Sequence, residues 1–143
     1  METSWVTTYG IGRKLDVPYD EAVELAKAAL REEGFGVLTE IDVRQTLKEK
    51  RGREFQPYVI LGACNPPLAE QALLAETNIG LLLPCNVIVY ETAGGSVVAV
   101  QDPVAMFSLV GKPELAAVAG EVRSRLERVL EHLAGAPPTE HPA

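Results

Sequence analysis

Cys64 and Cys85 carry the most reactive side chains in this chain, and each is followed by asparagine and flanked by proline, in the blocks GACNPP and LLPCNV. A thiol just ahead of a helix start lies near unpaired backbone N–H groups and the positive end of the helix dipole, a setting that favours the thiolate. That chemistry would suit a thiol-dependent enzyme or a redox sensor using Cys64, with or without Cys85. The competing reading is packing, because a free cysteine most often behaves as a small apolar residue in a core. Asn65 is well suited to cap a helix that Pro66 opens, where the missing N–H costs nothing. Asn86 could present its amide to a ligand. The candidate site is therefore Cys64, Asn65, Pro66, Cys85 and Asn86.

Other chemistries find less to work with. The cysteines are 21 positions apart (85 − 64) and the only histidines are His132 and His141. That set matches no common zinc spacing, so no metal is expected. Glu40 and Asp42 alternate onto one face of a strand and resemble an acid/base pair; with no histidine or metal motif beside them, a helix cap and a solvated acid are the better reading. Ser96, Ser108 and Ser124 lie outside any G-x-S-x-G context. Neither glycine-rich nucleotide-binding fingerprint occurs at a strand-to-helix junction, so no cofactor is expected.

The elements that must position these residues follow from periodicity. Ser4 to Arg13 is rich in strand-forming residues. Pro18, then Asp20 and Glu21, open a helix over Tyr19 to Glu33, with Ala22, Val23, Ala26, Ala29 and Leu30 on one face and Gly34 as its stop. Phe35 to Ile41 is a strand, and Asp42 caps a short helix from Val43 to about Lys50. Pro57 to Ala63 is an apolar run that suggests burial on both faces. A helix runs from Pro66 to about Thr77. Leu81 to Glu91 is a strand in which Pro84 implies an edge, a bulge or a late start. Gly94 and Gly95 join Val87–Tyr90 to Val97–Gln101 in a hairpin. After a helical turn or two over Pro103 to Leu109, apolar residues from Leu115 to Leu133 recur at spacings of three and four in a final helix.

The order is strand, helix, strand, short helix, strand, helix, hairpin, helix: an α+β sheet covered by helices. At 143 residues and 47% hydrophobic, the chain suits one domain over residues 1–134, with 135–143, rich in proline, as a loose tail. A net charge of −7 argues against nucleic acid and anionic membrane surfaces as partners. No secretory signal or membrane-length apolar run is seen, so the cytoplasm is the expected compartment, where both thiols stay reduced. Whether the thiols meet depends on topology. Antiparallel strands put Cys64 and Cys85 at the same sheet end; a parallel crossover puts them at opposite ends.

The segments FGVLTEIDV, PYVILGACNPPLA and GLLLPCNVIVYE resemble the bacterial and archaeal family known as domain of unknown function 302, over about Val17 to Met106. The resemblance implies a TBP-like α+β fold: one strand, a helix, four more strands and a final helix. It implies no activity and no catalytic residue. Together with the hairpin, it implies a mainly antiparallel sheet and hence both cysteines at one end, beside the helix that Pro66 starts. The function expected is a non-catalytic small-ligand or protein-binding module, with the thiol-dependent enzyme or redox sensor as the alternative. An uncovered sheet edge would favour a homodimer.

Overall fold

The computed structural model describes residues 5–134. Strand β1 (Trp5–Val6) reverses into β2 (Gly10–Leu15), so the expected single strand over Ser4–Arg13 is broken. Thr7 breaks it: its hydroxyl accepts hydrogen bonds from the backbone N–H groups of Tyr9 and Gly10 at 3.2 and 2.9 Å. A local hydroxyl turn of this kind competes with the strand ladder. Ser4 and the expected tail at 135–143 lie outside the described residues.

Helix α1 (Tyr19–Glu32) buries Ala22, Val23, Ala26, Ala29 and Leu30, the face that its spacing predicts. It stops at Gly34, whose φ of +83° is costly for a side chain. Strand β3 (Gly36–Asp42) leads into α2 (Val43–Arg51), with Asp42 accepting the Gln45 N–H at 2.9 Å. Strand β4 (Tyr58–Cys64) and α3 (Pro66–Ala75) follow, then a 3-10 helix over Thr77–Leu82. Leu81 and Leu82 are thus helical, and β5 begins only at Cys85 (Cys85–Thr92). Proline cannot donate to a ladder, so Pro84 marks a late strand start. Strand β6 (Gly95–Gln101), α4 (Pro103–Ser108) and α5 (Glu114–Ala134) complete the chain.

The strands form one sheet in the order β1-β2-β6-β5-β4-β3, antiparallel throughout. The molecule is α+β. One sheet face supplies Ile11, Val59, Leu61, Val87, Val89 and Val98 to a single core cluster, which α1 and α5 close with Leu30, Leu126, Val129 and Leu130 among others. The other face carries no core cluster and is open over β3, β4 and β5, while Val97 and Ala99 of β6 on it are buried. Strand β4 shows it: Val59, Leu61 and Ala63 are buried, but Tyr58 and Ile60 are only half-buried. The expectation of burial on both faces is therefore corrected, and the apolar residues that prompted it lie on a face that no core cluster covers. The sheet edges are blunted by other means. One is the two-residue β1, and the other, β3, carries a register irregularity between Val37 and Thr39, both of which discourage edge pairing.

Candidate functional site

Cys85 pairs across the ladder with Ala63, so Cys64, the next residue of β4, lies one step away at the same end of the sheet and beside the start of α3. Residues in this relation have Cα atoms about 6 Å apart. Alternation turns them to opposite faces, however. Cys85 points into the core at 6% exposure while Cys64 is half-buried, and diverging Cβ directions do not suit a bridge. Both thiols are free.

Their electrostatic setting opposes ionisation. Burial raises the Cys64 thiol, and burial with a smaller contribution from Cys64 pushes Cys85 up to about 11. A nucleophilic cysteine requires the reverse shift. Asn65 is spent on structure: its carbonyl oxygen accepts the Leu68 N–H at 3.3 Å, and its amide donates a long 3.5 Å bond to the Glu33 carbonyl. Pro66 occupies the first helical turn and is exposed. Cys64, Asn65 and Cys85 border a cavity of about 20 Å3 closed by Leu68, Phe107 and Val122, room for a single water.

Asn86 faces the other way. On the open face, at the same end of the sheet, it borders a hollow of about 380 Å3 with Tyr9, Ile88, Ala99, Gln101 and Met106. The backbone N–H of Asn86 donates to Gln101 Oε1 at 3.0 Å, which sets the orientation of the Gln101 amide. Of the five predicted site residues, then, four surround or flank the buried thiol end and only Asn86 reaches the hollow. Tyr9, Gln101 and Met106 escaped the sequence reading because they lie on three different elements. The pairing of β2 with β6, the Asp102 N–H donated to the Tyr9 carbonyl at 2.9 Å and the start of α4 directly after β6 bring them together.

At the opposite end of the open face, Tyr58 and Tyr90 stack with ring centroids 5.5 Å apart and planes 10° from parallel, and Phe55 meets Tyr58 at 6.1 Å. Ile60, Ile88 and the 48%-exposed Ile41 extend the apolar surface, with Val97 beneath them at 7% exposure. Alternation places one charged residue, Lys14, on this face of the described strands β2 to β6.

Glu40 and Asp42 point to the helix side. Glu40 pairs with Lys27 at 3.1 Å, and Asp42 caps α2. Beside them, burial and then the charge of Asp42 push the Tyr19 hydroxyl up to about 12. No cluster of three or more potential metal ligands occurs among the described residues, and among them no helix is long and apolar enough to cross a membrane.

An antiparallel sheet with helices on one face and an apolar opposite face defines the class as a helix-backed α+β domain. The family model described as "Domain of unknown function DUF302" matches residues 11–133, and the chain belongs to that family. A crystal structure described as an uncharacterised conserved DUF302 protein from Bacillus stearothermophilus is similar at 30% identity and a TM-score of 0.82, covering 89% of this chain and 99% of that one. No curated protein matches.

Proposed function

We propose that the chain is a non-catalytic binding module of the cytoplasm, that its recognition surface is the open face of the sheet, and that a second copy of the chain occupies that face. The observation that carries this reading is the lack of charge there: only Lys14 stands on the face of strands β2 to β6 in a protein of net charge −7. A solvent-facing sheet side normally alternates to polar residues. Contact through any acidic part of the surface brings like charges together, whereas this face brings almost none. Five strands at roughly 4.8 Å spacing and about six residues of roughly 3.4 Å rise make a face near 24 by 20 Å. That footprint lies at the small end of specific interfaces. A two-fold axis parallel to the strands and under β5 lays β2 of one copy over β3 and β4 of the other, bringing Lys14 to the Tyr58 ring, a favourable cation–π pairing.

The thiol-dependent reading has less support, since both cysteines are held protonated by burial. Light scattering at micromolar concentration is expected to give twice the 15.4 kDa chain mass. Ile60→Asp, which places a carboxylate on the open face without touching the core behind it, is expected to return the mass to the monomer with an unchanged circular dichroism spectrum. A wild-type protein that is monomeric at that concentration sinks the second-copy assignment.

A further inference from the structure

The hollow at the β2–β6–β5 end of the open face has a floor, a rim and a set of polar atoms that differ in chemistry from the aromatic end. Ile88 and Ala99 form its floor, and they lie opposite each other in the β5–β6 register. Space exists above them because the neighbouring β2 positions on this face are Gly10 and Gly12, which register with Gln101 and Ala99. Met106 of α4 borders one side and Tyr9, 67% exposed, another. A thioether and a phenol ring both favour contact with a flat aromatic body.

The polar atoms are amides. Because a backbone N–H can be received only by an oxygen, the bond from Asn86 N–H to Gln101 Oε1 at 3.0 Å fixes which end of the Gln101 carboxamide is which. The Gln101 NH2 group and both polar atoms of the Asn86 side chain have no further hydrogen-bond partner among the described residues. Among the described residues, no ionisable group except the Tyr9 phenol borders the hollow. A charged ligand would lose hydration there without a counter-charge, while a neutral one with a carbonyl or amide edge gains hydrogen bonds from groups already in place. At about 380 Å3 the volume falls within the range of small-molecule sites.

We infer that this hollow binds a small, uncharged, planar aromatic or heteroaromatic ligand bearing an amide-type edge, whose ring lies over Ile88 and Ala99 and whose carbonyl receives the Gln101 NH2. The inference rests on reading the open face as a recognition surface but not on its occupant being a second copy, which would lie over the hollow and compete with the ligand for it.

Ligand-observed NMR titration at pH 7 with benzamide and its anionic isostere benzoate tests it. Benzamide is expected to bind saturably and benzoate at least tenfold more weakly. Gln101→Leu is expected to weaken benzamide about five- to tenfold, the loss of one or two net hydrogen bonds. Ala99→Leu, which fills the floor, is expected to abolish binding with the thermal melt of the fold retained. Equal binding of the two probes, no saturable binding of either, or benzamide affinity unaltered by Ala99→Leu overturns the inference. Ile60→Asp separates it from the assembly: a monomeric variant that still binds benzamide supports the hollow as a site in itself, and a variant that loses benzamide with its fold intact overturns that.

Discussion

Cys85 carries the strongest residue-scale consequence, because its thiol is pushed up to about 11 by burial at 6% exposure. In the unfolded chain the same thiol ionises nearer pH 8.5. Between those values the unfolded state has released its proton and the folded state still holds it. Folding stability then falls as pH rises, the sign expected when the folded state binds more protons. The contribution is fully present below about pH 8.5 and lost through about pH 11. Denaturant unfolding at pH 7 and pH 10 is expected to show a smaller loss for Cys85→Ala than for the wild type. In the native protein at pH 7, iodoacetamide should leave Cys85 unmodified over a time in which the unfolded chain is fully alkylated. Rapid native modification would restore the thiol-dependent reading.

At the scale of elements, the junction between β4 and β5 depends on Gly62. A Cβ there would lie 2.9 Å from Pro84 Cγ and would also strike the Thr39 side chain. The proline ring cannot rotate away, and Thr39 is held by its pairing with Gly62 in the β3–β4 ladder. Gly62→Ala is therefore expected to cost about 1–3 kcal/mol, the usual range for overpacking, measured by urea unfolding. A change below about 0.5 kcal/mol, the scatter of neutral surface substitutions, would show that β4 and the turn at Pro84 separate easily. Pro84 thus precedes the ladder, and β5, which starts after it, runs inside the sheet rather than at its edge.

For the whole molecule, charge and apolar surface are segregated. With a net charge of −7 and an open face nearly free of ionic groups, the proposed self-association would bury apolar area while the rest of each copy repels the other. Salt screens that repulsion and leaves apolar burial in place. The dissociation constant of the proposed dimer is accordingly expected to stay constant or fall as salt is raised from about 0.05 to 0.5 M, a range over which the screening length shortens about threefold. Analytical ultracentrifugation across that series decides it, and a dimer that dissociates as salt rises would point to ionic contacts in place of the apolar face.

Local chemistry was enough to read much of this protein. The alternation of apolar residues in α1 and α5, the stops at Gly34 and the Gly94–Gly95 turn, and the caps at Asp42 and Asn65 each depend on neighbours in the chain, and each is found where the sequence places it. The segments resembling the family led correctly to the antiparallel pairing that puts Cys64 and Cys85 at one sheet end. What the sequence could not decide was which way those residues face and what covers them. Tyr58 and Ile60 look like core residues in a one-dimensional pattern. Only the sheet, with helices on one side, shows that they face outward. Likewise Asn86 and Cys85 are adjacent in sequence, yet the pleat sends one to the open face and the other into the core. Gln101 joins Asn86 through ladder register between distant segments, and Tyr9 and Met106 follow from the turn before β2 and the helix after β6. Such register is set by the packing of the whole sheet against its helices, and no local pattern encodes it.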